Sequence, residues 1–206
     1  RNHLSVIGER IVYELRGISC ISLEQVAPKK NILSSKSFGR LVTKLEEVEE
    51  ALANYAFRAC QKLRKQNSKA QGIYVFVKTN KYRINDPQYR NSTTKEFSHP
   101  SSDTSLIIKT AKLLLREIYR PGFKYQKCGI MLLDLTPSDY LQNHLFEKAP
   151  TQKKEYLSSV IDAINQSTGN ESIFYASQGV KRNWRMRCNK RSQRYTTQWK
   201  ELVKAY

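Results

Sequence analysis

The hydrophobic positions of this chain repeat with two different periods, and the switches between them mark out its elements. Residues 3–16 place Leu4, Ile7, Ile11 and Leu15 at spacings of three and four, one face of a helix that Gly17 ends. "ISCISLEQVAPKK" then runs out through Pro28 to two lysines. Residues 31–40, "NILSSKSFGR", alternate, with Ile32, Ser34, Lys36 and Phe38 on one face, and predict a strand. A helix is predicted over 43–66. Thr43 and Glu46 fit a T-x-x-E capping box, and Leu45, Val48, Leu52, Tyr55, Ala59 and Leu63 form its apolar stripe. Glu46, Glu47, Glu49 and Glu50 at its start and Lys62, Arg64 and Lys65 at its end complement the helix dipole.

The period returns to two in "AQGIYVFVKTN" (70–80), whose β-branched and aromatic residues predict a strand. "DPQYRNSTTKEFS" (86–98) reads as a Pro turn followed by a solvent-facing, Thr-rich strand. Ser102 and Asp103 are capping candidates for a helix striped by Ile107, Leu114 and Ile118, which Pro121-Gly122 ends. "FKYQKCGIMLLDL" (123–135) predicts a last strand. The order over 31–136 is β-α-β-β-α-β. This is an α+β class, a four-stranded sheet with two helices on one face and the other face open.

Beyond it, 151–169 predicts an amphipathic helix carrying Leu157, Ile161 and Ile164, and "ESIFYASQG" predicts a short strand. A small basic α/β appendage is therefore expected at the C-terminal end. The last stretch sets Lys181, Arg182, Arg185, Arg187, Lys190, Arg191, Arg194, Lys200 and Lys204 against Glu201 alone. Trp184, Tyr195, Trp199 and Tyr206 are interleaved, and core packing is the expected role of both tryptophans.

Charge changes this picture most. Lys and Arg number 36 against 18 Asp and Glu, a net of +18. Such a balance in a folded domain points to a polyanion, nucleic acid above all. The four cysteines (Cys20, Cys60, Cys128, Cys188) are far apart and form no C-x-x-C pair. They read as reduced thiols in a cytoplasmic protein. No apolar run approaches a membrane span, and a start at Arg1 predicts a piece of a longer protein. No metal-ligand cluster, Walker loop or nucleophile elbow occurs. Asp134, near a strand end, lacks a carboxylate partner and reads as a turn or cap residue. No catalytic residue and no metal site are therefore predicted.

The cations cluster on the predicted strands. "PKKNILSSKSFGR" joins Lys30, Lys36 and Arg40 to small hydroxyl residues including Ser35. "IYVFVKTN" ends in Lys78. "YRNSTTK" offers Arg90, Ser92, Thr94 and Lys95, and "FKYQK" adds Lys124 and Lys127. Cations attract phosphates at long range, and small residues let backbone N–H groups approach them. These segments are expected to form one phosphate-tracking face with little base specificity, since no helix bears a groove-reading Arg/Asn/Gln face.

Four stretches, taken in order, resemble the C-terminal half of the UmuC family, the Y-family translesion DNA polymerases that supply the catalytic subunit of DNA polymerase V. They are "ISCISLEQVAPKKNILSSKSFGR", "IYVFVKTN", "YRPGFKYQKCGIMLLDL" and "QGVKRNWRMRCNKRSQRYTTQWKEL". The resemblance implies the end of a thumb over 1–27, a little finger over 28–138, a linker over 139–150 and the family's own C-terminal domain over 151–206. It implies an error-prone polymerase of SOS mutagenesis and DNA repair whose metal-binding palm lies outside this chain. The Mg²⁺ of two-metal chemistry would be held there, and this chain alone would not polymerise. Implied partners are a primer–template duplex, the sliding clamp, a cleaved UmuD dimer and RecA; no membrane is implied. The linker carries "QNHLF", similar to bacterial clamp-binding peptides, in which Gln142, Leu145 and Phe146 match the pattern. Adjacent apolar anchors with an orienting Gln suit a pocket, or else the Leu-Phe pair tucks back onto the sheet edge. An alternative function is a stand-alone regulatory module whose basic, aromatic tail binds single-stranded DNA or RNA.

Overall fold

The computed structural model of the protein describes residues 5–20, 28–139, 152–168, 172–186, 188 and 190–203. The first helix, α1 (Ser5–Leu15), ends where Gly17 dictates. Gly17 has φ of 80°, its N–H donates to Glu14 O at 3.0 Å, and Ile18 N–H donates to Tyr13 O at 2.9 Å. These are the paired bonds of a Schellman cap, which a left-handed glycine makes possible. The stripe on α1 is uncovered among the described residues, with Ile7 70% and Leu15 83% exposed.

The predicted β-α-β-β-α-β unit follows, its ends shifted by a few residues. It comprises β1 (Ile32–Val42), α2 (Leu45–Lys65), β2 (Ser68–Thr79), β3 (Arg90–Ser101), α3 (Thr104–Ile118) and β4 (Tyr125–Pro137). The strands form one sheet in the order β1-β4-β2-β3, and each neighbouring pair is antiparallel. It follows that β1 and β2 run parallel with β4 between them, and β3 and β4 run parallel with β2 between them. Each β-α-β unit leaves the slot that the other fills, so the two halves interlock.

One face of the sheet lies beneath the helices. Ile73, Val75 and Val77 of β2 and Cys128, Ile130 and Leu132 of β4 are fully buried there against Leu52, Leu63, Ile107 and Leu115 of α2 and α3. Each such aliphatic side chain contributes about 1.5–3 kcal/mol on leaving water. The Asp103 carboxylate caps α3, accepting from Ser105 N–H at 2.9 Å. The capping box expected at Thr43 and Glu46 does not form. Helix α2 begins one residue later, with Lys44 at the cap and no side-chain bond. Glu47 then stands three residues into the helix and pairs with Arg40, while Thr43 O accepts from Tyr119 O–H at 2.6 Å.

Glu49 ties α2 to α3. Its carboxylate accepts from Arg116 Nε at 2.6 Å and lies 2.9 Å from Lys112 Nζ, although the residue is only 6% exposed. Helix α4 (Gln152–Thr168) docks through charge as well. Arg64 Nε reaches Asp162 at 2.6 Å, and Lys69 Nζ reaches Glu155 at 2.9 Å. A second Arg64 nitrogen donates to Ser102 O and Thr104 Oγ1, so the guanidinium is shared by α2, α3 and α4.

From α4 the chain runs back along α2. Tyr175 meets Phe57 edge-on at 6.1 Å, and Trp184 meets Tyr55 and Phe38 edge-on at 5.9 and 6.4 Å. The strand expected over 171–179 is instead, in its described part, a 3₁₀ turn over Ala176–Gln178, so the appendage has no strand among the described residues. Its backbone is held by side chains: Asn165 exchanges two hydrogen bonds with Ile173, and Gln178 accepts from Tyr175 N–H. Trp184 is buried, as expected, but Trp199 is 88% exposed. Among the described residues no packed layer covers Trp199 in its 3₁₀ turn, so the core role expected of it does not hold.

The Glu49 cluster predicts an acid-labile contribution to stability. Burial alone would raise the Glu49 pKa, but hydrogen bonds from Arg116 and Lys112 and the charges of those two groups outweigh it and hold the carboxyl below its ordinary value. The contribution is therefore present at neutral pH and disappears as pH falls through the depressed value. Glu49→Gln should lower the urea-unfolding free energy at neutral pH by about 1–2 kcal/mol, less than a fully buried pair because Arg116 is half exposed. The difference between the two proteins should begin to narrow as pH falls below the ordinary carboxylate range and vanish only once pH is below the depressed value of Glu49.

Candidate nucleic-acid interface

Strand β2 sits inside the sheet, and its two-residue period settles what the helix-free face carries. With Ile73, Val75 and Val77 under the helices, Tyr74, Phe76 and Lys78 stand on the other side. Register extends these into rows across the strands. One row runs Ser37, Lys127, Lys78, Arg90; the next runs Ser35, Gly129, Phe76, Ser92; a third runs Leu33, Met131, Tyr74, Thr94.

The first row sets three cations side by side on β4, β2 and β3, and no ion pair with a carboxylate serves them among the described residues. Like charges directly opposite each other on neighbouring strands destabilise a sheet. An anion laid across them removes that cost. The row continues into a cavity of about 480 Å³ at the β2–β3 hairpin, lined by Lys78, Arg90, Lys81, Tyr82, Gln88 and Gln126 among others. Gln88 shapes the hairpin, its side-chain amide donating to Asn80 O, Arg83 O and Asp86 O.

The middle row depends on a missing side chain. A Cβ on Gly129 would lie 2.4 Å from Ser35 Cβ and 2.6 Å from a Phe76 ring carbon. The Phe76 ring therefore reaches across onto β4, over Gly129, and its centroid is 5.9 Å from that of Tyr74, with the rings inclined at 34°.

Of the residues predicted from sequence, Lys78, Lys127, Arg90, Ser92, Thr94 and Ser35 are brought together on this face. The others are not. Lys36 lies opposite Cys128 and Lys95 opposite Ile73, so alternation turns both to the helix side. Lys36 instead adds positive potential at the Cys188 thiol, together with Arg185 and with Arg191, whose hydrogen bond holds that thiol below its ordinary pKa. Arg40 is engaged by Glu47, and Lys124 by Asp86 at 2.8 Å. Lys30 precedes β1, near Leu135 and at the end of the sheet away from the cationic row. The single continuous basic face expected over three segments is thus a compact row of three, because strand alternation and local carboxylates divert the rest. Gln142, Leu145 and Phe146 lie outside the described residues. Sequence reasoning missed Tyr74, Phe76 and Gly129. "IYVFVK" held the signal, with aliphatic residues at its odd positions and aromatic or cationic ones at its even positions.

Among the described residues no three His, Cys, Asp or Glu side chains are grouped to hold a metal, and no helix is long and apolar enough to cross a membrane. Asp134 lies within β4 with φ of 50° and is exposed.

The residues of the interlocked sheet match a described family of domains. Residues 29–145 match the model of the impB/mucB/samB family C-terminal domain, and the chain belongs to that family. Residues 155–205 match a second model, described as a domain of unknown function (DUF4113). Among curated relatives, the chain is 39% identical to Protein UmuC of Salmonella typhimurium over 99% of its own length and 49% of that protein's. It is 37% identical to Protein ImpB of Salmonella typhimurium over 98% of its length and 48% of the relative's. The chain thus spans about half the length of the relatives it matches. Among solved structures, a DinB family error-prone DNA polymerase from Sulfolobus solfataricus is similar over 62% of this chain and 35% of its own, at 15% identity and a TM-score of 0.44. The little finger domain of PolIV, in complex with the beta-clamp processivity factor, is similar over 57% of this chain and 99% of its own, at 15% identity and a TM-score of 0.39.

Gly129→Ala tests the packing of this face. The added methyl must displace either the Phe76 ring or β1, and unfolding titrations should show a loss of about 1–3 kcal/mol. The double variant Gly129→Ala/Phe76→Ala frees the ring's place and should lose less than the sum of the two single losses.

Proposed function

We propose that this chain is the DNA-holding part of an error-prone translesion polymerase, gripping the primer–template duplex through phosphates while a palm outside this chain performs nucleotide transfer. One observation carries the reading: the Lys127–Lys78–Arg90 row, three abreast on the sheet face away from the helices, with no carboxylate partner among the described residues. Membership of the impB/mucB/samB family and the likeness to UmuC support it. Grip through phosphates suits an enzyme that must tolerate altered bases, because backbone contacts carry no sequence information. Two-metal chemistry needs carboxylates that this reading places in the palm, with its Mg²⁺, so the chain alone would be inactive. Within the proposal, residues 1–27 end a thumb, 28–138 form a little finger, and 151–206 form an appended domain. The setting would be SOS mutagenesis in the cytoplasm, with a cleaved UmuD dimer and RecA as further partners.

We also propose that "QNHLF" tethers the chain to a sliding clamp, with Leu145 and Phe146 as anchors and Gln142 orienting them. The solved complex of a beta-clamp processivity factor with the little finger domain of PolIV supplies a precedent, not a match for this segment.

Duplex affinity should fall steeply with salt, and Lys78→Ala/Arg90→Ala/Lys127→Ala should reduce the slope of log K against log salt by about 3 if all three neutralise phosphates. A salt-independent affinity, or an unchanged slope in the variant, would refute the assignment. For the tether, calorimetric titration with a bacterial sliding clamp should give micromolar binding, about −8 kcal/mol, that Leu145→Ala/Phe146→Ala abolishes. Equal binding by both proteins would remove these residues from the clamp contact.

A further inference from the structure

We propose that the helix-free face also binds single-stranded DNA, stacking two unpaired bases on Tyr74 and Phe76 while their phosphates run along the Lys78–Arg90 side into the hairpin cavity. The inference rests on the DNA-holding reading above and adds a substrate form to it. A face built only to track phosphates has no use for aromatic rings in its middle rows. Tyr74 and Phe76 occupy alternate positions of β2, an interior strand, on the side the helices leave bare. Sheets that take up single strands do so by stacking bases on such rings, with cations alongside for the backbone.

The geometry selects an unpaired strand. Bases in a duplex rise by about 3.4 Å per step and offer their faces to each other. The two rings are 5.9 Å apart, too far to stand against successive stacked bases and suited to bases drawn apart in an extended strand. Phe76 is also held in position. Its ring lies over Gly129, where even one methyl group would collide with it, so the stacking surface is fixed before any base arrives.

The charges continue the path. One row from Phe76, Lys78 meets Lys127 and Arg90. The 480 Å³ cavity next to them adds Lys81, whose ammonium lies 4.9 Å from the centroid of the Tyr82 ring, and Tyr82 itself is 80% exposed. A strand stacked on Tyr74 and Phe76 thus meets the row of three cations on its hairpin side. On the other side, the position facing Gly72 on β3 is Glu96, which repels phosphate. The face therefore has a polarity: bases over the aromatic rows, backbone towards the hairpin.

The test uses the whole chain with three probes of equal length: an oligothymidylate, an abasic oligonucleotide with the same phosphates, and a blunt duplex. Tyr74→Leu and Phe76→Leu keep an apolar body and remove the stacking face. Each should weaken oligothymidylate binding roughly tenfold and leave duplex affinity unchanged within about twofold, the scatter that surface substitutions ordinarily cause. The unsubstituted chain should bind the abasic probe at least tenfold more weakly than oligothymidylate, a comparison that does not depend on any variant folding. Equal affinity of the unsubstituted chain for the abasic and thymidine probes overturns the proposal, as does full oligothymidylate affinity in both leucine variants. Failure of the DNA-holding reading shows separately, as duplex binding without salt dependence.

Discussion

Everything in the sheet domain depends on the alternation of β2. This strand has neighbours on both edges and helices over one face, so each residue has one permitted direction. A slip of one position would push Tyr74, Phe76 and Lys78 under α2 and α3, and expose Ile73, Val75 and Val77. The aliphatic run that anchors the core is the same physical fact as the aromatic and cationic run that faces outward. Fold and surface are specified by one six-residue stretch read in two directions.

Charge is used in two opposed ways. Where helices meet, cations are neutralised at short range: Glu49 gathers Lys112 and Arg116, Asp162 takes Arg64, and Glu155 takes Lys69. On the sheet they are left against each other. The excess of 18 positive charges is therefore not spread as a uniform coat. Part of it holds helices together, part surrounds Cys188 on the terminal segment, and a small remainder stands in a row with no carboxylate partner among the described residues.

Element order and type were legible because the periods are clean and the punctuation is chemical: Gly17 as a left-handed cap, Asp103 as an N-cap, Pro121-Gly122 as a stop. The terminal appendage was less so. Its β-branched and aromatic residues suggest a strand, but Tyr175 and Trp184 are drawn onto the aromatic residues of α2 instead. For the site, composition pointed to an anionic partner and to the segments that carry the cations. It could not show that Lys36 and Lys95 turn away, because that needs the register against Cys128 and Ile73. Nor could it show that Arg40 and Lys124 are engaged by nearby carboxylates. The role of Gly129 was invisible for the same reason, since it matters only through a ring on the neighbouring strand.

The docking of the terminal segment has one more consequence. Gly39 N–H donates to Trp184 O at 2.9 Å, and a Cβ at Gly39 would lie 2.4 Å from Arg185 O. β1 is an outer strand of the sheet, and outer strands present free donors and acceptors on which a foreign strand can form. The segment around Trp184 occupies that margin, and the register of β1 breaks between Ser37 and Val42, which bends it from the straight path a second sheet would need. A basic terminal segment that reads in the sequence as a ligand for polyanions is thus also a guard rail along the β1 margin of the sheet.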